Sequence, residues 1–235
     1  MWKELRALFK KDGLCNEAFD ECMVMLRESL GMFRDATVSF RVEGTPEVDI
    51  YARDRRINKF QRSVRRNIVT HLAVSANPNV NGALVLTSIV IDIERIGDYA
   101  KNIVELASAH PTIFDGGRLQ GNIIGIERTV EKIFNNLLPA LEDSDIDLAR
   151  KVIGDHQMVA EEVDDLMEDL IAGKVMSENS GEAVTAALYL RYLKRISAHL
   201  KNVATSVVNP YYRIGFREKT NPGNEPPQIE DDADE

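Results

Sequence analysis

Cysteine is nearly missing from this chain: Cys15 and Cys22 are the two in 235 residues. That excludes a disulfide-stapled scaffold, and two thiols alone do not complete a structural zinc site. Long apolar runs are missing as well. No stretch approaches the roughly 20 residues of a membrane span, and the opening from Met1 to Arg6 lacks the apolar core of a secretory signal. A soluble, cytoplasmic protein is the expectation. Proline (8) and glycine (14) are sparse while 44% of residues are hydrophobic, so the bulk of the chain can bury a core, in one large or two small domains. There is no Gly-rich phosphate loop, no nucleophile beside a base, and no Glu three residues before any of His71, His110, His156 or His199. The last absence counts against a ferritin-like di-iron oxidase, whose Glu-x-x-His motif occurs twice.

Charge is abundant but segregated. The net charge of −9 argues against general nucleic-acid binding. Arg53, Arg55, Arg56, Lys59, Arg62, Arg65 and Arg66 fall within fourteen residues, whereas the stretch from Glu142 to Asp169 holds eleven acids against Arg150 and Lys151. The basic stretch reads first as a solvated face, and in the sharper alternative as a contact for an acidic partner or an anionic membrane surface. From Arg217 to Glu235 seven acids and three prolines leave no apolar face, and this tail is expected to be disordered and to contribute nothing to the fold.

Apolar residues recur at three- and four-residue steps nearly throughout, which predicts an all-α protein. A short amphipathic opening occupies residues 1–13. Helices are expected over about 14–40, 47–76 and 81–109, with stops at Gly44-Thr45-Pro46, Asn77-Pro78 and His110-Pro111. The pattern then restarts over about 118–142, 144–172 and 181–208, with Pro139 bending or ending the first of these. Three long helices followed by three more suggest a duplication, and the segment Ile93–Ile103 overlays Leu193–Val203 without a gap, keeping Arg, Ile, Lys and Asn. Asp54 and Asp155, 40 and 39 residues before Glu94 and Lys194, are matched as the starts of the middle helices. The expected domains are two tandem antiparallel three-helix bundles over 14–110 and 111–216, with an acidic tail over 217–235.

Glu94 and Asp98, one turn apart, point the same way from a helix, and Asp54 and Asn58 make a matching pair on the helix before it. Two such pairs on antiparallel neighbours present oxygen ligands across a groove, an arrangement suited to hard or borderline cations. By spacing alone a pair of solvated acids is the commoner explanation. Gly97, between the motif acids, costs about 1 kcal/mol against Ala in a helix, and either close helix approach or room for a metal would account for it. Cys15 and Cys22 share one helical face and read as small core residues.

The run Ile93-Glu-Arg-Ile-Gly-Asp-Tyr-Ala-Lys-Asn-Ile103 closely resembles the LERIGDxAxNI signature of the PhoU family of phosphate-uptake regulators, and Asp54-Arg-Arg-Ile-Asn58 resembles its DxxI(D/N) segment. The resemblance covers roughly residues 14 to 215. It implies two three-helix bundles, a metal site at Asp54, Asn58, Glu94 and Asp98 taking iron, manganese, magnesium or zinc, and a non-enzymatic regulatory role beside a phosphate transporter or its sensor histidine kinase. It also admits peripheral membrane association and a homodimer. In the second repeat Lys194 and Ala198 replace the motif acids and Val159 stands where a further acid would be, so one metal site is expected, in the first repeat. The competing readings are a carboxylate-bridged, metal-dependent enzyme and a metal-free helical adaptor.

Overall fold

A computed structural model describes residues 2–42, 49–110, 112–114, 116–175 and 180–218. Among these are seven α-helices and no strand: α1 (Trp2–Phe9), α2 (Gly13–Ser39), α3 (Ile50–Val74), α4 (Val80–Ala109), α5 (Gln120–Glu142), α6 (Ile146–Ile171) and α7 (Ser180–Val208). The expected stop at Gly44–Pro46 and the proposed tail beyond Glu218 lie outside the described residues.

Side-chain caps set several of the helix starts. Asp12 accepts from Cys15 N at 2.9 Å, Asp49 from Ala52 N at 2.9 Å, Asn79 from Gly82 N at 3.0 Å, and Asp145 from both Asp147 N and Leu148 N at 3.0 Å. Each satisfies backbone donors that the first helical turn leaves without partners. Pro139 does not end α5, which continues to Glu142. Its ring removes one donor within the final turn, where little helix remains to be disrupted.

Helices α2, α3 and α4 form one antiparallel bundle and α5, α6 and α7 the other, as the duplicated pattern predicts. The bundles share a core across α4 against α7 and α2 against α5. Ile89, Ile93, Ile96, Ala100 and Ile103 of α4 are buried, as are Leu193, Ile196, Leu200 and Val203 of α7, and Phe33 of α2 meets Phe134 of α5 with ring centroids 5.7 Å apart. Burying one such phenylalanine stabilises the fold by roughly 1.5–3 kcal/mol, so the apolar stripes dominate the assembly.

The opening helix is part of this core. Trp2, Leu5 and Phe9 are buried, and Trp2 Nε1 donates to Leu141 O at 3.0 Å, satisfying a carbonyl in the last turn of α5. After α7 the chain turns back: Gly215 N donates to Thr205 Oγ1 at 2.7 Å and Lys201 Nζ to Gly215 O at 2.7 Å. Glu218, assigned by composition to the disordered tail, is held by Arg150 through two bonds of 2.9 and 2.8 Å. A bidentate guanidinium–carboxylate pair offsets the cost of ordering that end, and Arg150 accordingly lowers the Glu218 pKa.

Candidate metal centre

Helices α3 and α4 run antiparallel and approach closely because Gly97 presents no side chain. A Cβ there would lie 2.8 Å from Ile57 Cδ1, so close helix approach accounts for this glycine.

On the rim of that contact Asp54, Asn58 and Asp98 are linked through Lys101, and Glu94 lies within electrostatic reach of Asp98 and Asp54. Asn58 Nδ2 donates to Asp54 Oδ2 at 3.2 Å, and the Lys101 ammonium donates to Asp54 Oδ1 at 3.1 Å and to Asp98 Oδ1 at 3.3 Å, joining the two helices. Arg95 lies 3.7 Å from Glu94 and 3.2 Å from Asp98. Glu94, Asp54 and Asp98 keep 17%, 15% and 25% of their side-chain surface exposed, so the groove is half-buried and open to solvent on one side. Burial raises the Glu94 pKa, with the charge of Asp98 adding to it, against the opposing pull of Arg95 and Arg65. Lys101 is raised by its bonds to Asp54 and Asp98, which outweigh burial.

Lys101, Arg95 and Arg65 are the residues that reading the acids alone misses. A lysine three residues after Asp98 on the same face is the signal that could have found Lys101. Lys101 bonds Asp54 and Asp98, Arg95 lies beside Glu94 and Asp98, and Arg65 acts on Glu94, so three carboxylates face three cations, and burial is the main cause of the raised Glu94 pKa. Oxygen-only donors suit a hard or borderline cation of the iron, manganese or magnesium type better than zinc, since no imidazole or thiolate joins them. Among the described residues the three carboxylates do not gather within 4.8 Å of one another, so a cation would have to draw them together and displace Lys101.

The second repeat lacks this donor set. His156 Nδ1 lies 2.9 Å from Ser197 Oγ, and Ser197 stands where Gly97 stands in the first repeat. Asp155, matched to Asp54 in the sequence, accepts from Lys132 Nζ of α5 at 2.9 Å. Lys194, at the place of Glu94, donates to Asp164 at 2.5 and 2.6 Å.

Not all of the basic stretch on α3 is solvated. Arg53 bonds Glu28 at 2.7 Å and pairs with Asp35, tying α3 to α2. A separate cluster joins helix ends: the ligand atoms of Asp12, Cys15 and His71 all lie within 4.8 Å of one another. Asn79 N donates to His71 Nε2 at 2.9 Å, which leaves the ring proton on Nδ1 to donate to Asp12 at 2.8 Å. Both ring nitrogens are engaged, and burial with the neighbouring Asp12 pushes the Cys15 thiol up to about 12. This cluster ties α2, α3 and α4 together and does not offer a ready ligand set.

A family profile described as the PhoU domain matches residues 16–107 and 123–207. The chain belongs to the PhoU-domain family. The two matched segments coincide with the two bundles. Curated relatives include proteins called "Phosphate-specific transport system accessory protein PhoU homolog" from Pseudomonas aeruginosa, 28% identical over 66% of this chain and 65% of the relative, and from Pseudomonas putida, 27% identical over 66% and 62%. The aligned region thus spans just under two thirds of those relatives. Among solved structures, PhoU from Pseudomonas aeruginosa superposes with a TM-score of 0.74 at 21% identity, covering 84% of this chain and 96% of that one. The phosphate transport system regulatory protein PhoU from Streptococcus pneumoniae gives 0.70 at 14%, covering 83% and 93%. At these identities the structures establish the PhoU fold.

Proposed function

We propose that this PhoU-domain protein is a non-enzymatic, metal-responsive regulator of phosphate uptake, acting by contact with a phosphate transporter or its sensor kinase. One observation supports the metal part: Lys101 joins Asp54 and Asp98 across the α3–α4 groove, with Asn58 bonded to Asp54 and Glu94 one turn before Asp98, while the second repeat has Lys194 and Ala198 at the places of Glu94 and Asp98. The names of the Pseudomonas relatives support the transport part. These four residues would hold the cation, which would link α3 to α4 by ligation and so stabilise one arrangement of the surrounding surface. A second reading has its own support. Lys101 already bridges Asp54 and Asp98, as it would in a helical adaptor that works without metal.

Titration of purified protein with manganese, followed by calorimetry and elemental analysis, separates the two. Glu94→Ala with Asp98→Ala is expected to abolish binding, and Asp155→Ala to leave it unchanged. Absence of binding by the unaltered protein selects the adaptor. Equal loss from the Asp155 variant would refute the asymmetry, and a phosphate-releasing activity abolished by Glu94→Ala would overturn the non-enzymatic reading. Co-purification with transporter subunits, with and without metal, tests the partner.

A further inference from the structure

The outer faces of α3 and α6 carry opposite charge: Arg62, Arg65 and Arg66 on α3, Glu161, Asp164 and Asp165 on α6. Arg65 and Asp164 face inward partners, Glu94 and Lys194. The rest point outward. On α3 an exposed row runs Lys59, Arg62, Arg66, Val69, and on α6 another runs Met158, Glu161, Asp165, Glu168. None of these six charged side chains has an ion-pair partner among the described residues. Val69 and Met158, at the ends of these rows, are 66% and 64% exposed.

The two rows have the same step pattern when one is read backwards. Laid antiparallel, Val69 meets Met158, Arg66 meets Glu161, Arg62 meets Asp165 and Lys59 meets Glu168. The fold supplies that direction. Helix α3 packs on α2 and α4, α6 packs on α5 and α7, and the two bundles join through the other four helices. Asp92 meets His199 and Asn202 while Tyr99 meets Tyr192 and Arg195, so α4 and α7 are antiparallel, and their outer neighbours α3 and α6, on opposite sides of the molecule, run antiparallel to each other. A simple translation brings the α6 of one copy alongside the α3 of the next with the helices antiparallel.

We infer that the occupant of the α3 face is a second copy of this chain, docked head to tail through its α6. The contact is heterologous, so it propagates unless rotation closes it into a ring. A single helix pair with a charged rim gives a weak, salt-sensitive interface. The inference goes beyond the metal-responsive reading and does not depend on it.

Sedimentation velocity across a concentration series at about 50 mM and about 500 mM salt tests it. Association is expected at low salt and is expected to weaken about tenfold or more at high salt. R62E/R66E alone presents acid at both ends and E161R/D165R alone presents base at both ends, so each is expected to sediment as a monomer. Mixing the two makes complementary ends again and is expected to restore association, an outcome that misfolded variants could not give. A protein monomeric at every concentration at low salt would overturn the inference, as would variants that associate singly or a mixture that stays monomeric. Binding of phosphatidylserine vesicles by a protein that never self-associates, lost in R62E/R66E, would assign the α3 face to lipid instead. E94A/D98A is expected to associate normally, which keeps this test separate from metal binding.

Discussion

In the first repeat Ile57 closes on Gly97, Glu94 feels Arg65, and Arg56 lies 3.7 Å from Glu28. In the second, His156 contacts Ser197, Lys194 bonds Asp164, and Asp155 accepts from Lys132. The contact at Gly97 is apolar and the one at Ser197 polar, and the charge carried at Glu94 is reversed at Lys194, while both repeats keep three long helices. The fold tolerates this because its stability resides in the buried stripes of α4 and α7 and the Phe33–Phe134 contact, while half-exposed ion pairs contribute little each. Once the core is fixed, charge on the rim is free to diverge. One repeat gathers acids around a groove, and the other places a lysine where an acid stood.

The largest expected effect of that divergence is acid sensitivity in the second repeat. Burial, with help from Lys201 and Lys194, lowers the His156 pKa from 6.5 to about 4. A depressed histidine pKa means that stability is fully present above the ordinary value and is lost as pH falls from 6.5 towards 4. The loss attributable to this group is at most about 3 kcal/mol. His156→Gln retains a partner for Ser197 and cannot titrate. Urea unfolding at pH 7.5 and 4.5 should therefore show a markedly smaller acid-induced loss in the variant. An equal loss in both proteins would remove the polar His156–Ser197 contact as the source of the difference between the repeats.

A smaller effect tests the apolar counterpart. Gly97→Ala places a methyl 2.8 Å from Ile57 Cδ1 and is expected to destabilise by about 1 kcal/mol, because crowding in a packed helix contact outweighs the gain in helix propensity. Ile57→Val deletes the offending carbon. The double variant should recover most of the loss in thermal melts, a coupling that independent sites would not show. Additive losses would mean that this contact does not set the distance between α3 and α4.

How legible all this was in the sequence depends on what each residue answers to. The seven helices and their duplication could be read because buried stripes repeat at helical spacing and because the Ile93–Ile103 run reappears at Leu193–Val203. The four candidate ligands could be read as two pairs one turn apart. What stayed hidden depends on contacts between elements. Lys101 belongs to α4 yet meets Asp54 of α3. Asp155 matches Asp54 in the sequence, and only the fold puts Lys132 of α5 beside it. Arg53 looks like one more exposed cation until Glu28 and Asp35 are in place. The link from Arg41 to Glu127 to Tyr189, with bonds of 2.6 and 2.5 Å, joins residues far apart in the chain and has no local signature.

The smallest effect sharpens the comparison most, because it should reverse sign when metal is present. Glu94 has a raised pKa, for which burial is the larger cause and Asp98 the second. Its contribution to stability is therefore greatest below the ordinary carboxyl value of 4.5, where the group is protonated whether the chain is folded or not. That contribution is lost as pH rises through the folded-state pKa. Glu94→Gln removes the repulsion with Asp98 and keeps the shape, so metal-free protein at pH 7 should gain about 0.5 kcal/mol, the size of a like-charge pair one helical turn apart. Near pH 4 the gain should vanish. With manganese added, the same variant should become the less stable of the two, since it has given up a charged ligand and with it part of the stabilisation that binding confers on the folded state. Lys194→Gln, at the matching place in the second repeat, should show no metal dependence. A Glu94→Gln variant whose stability relative to the unaltered protein is the same with and without metal would mean that Lys101, Arg95 and Arg65 compensate the acids of the first repeat, and that the two repeats differ in charge but not in what they bind.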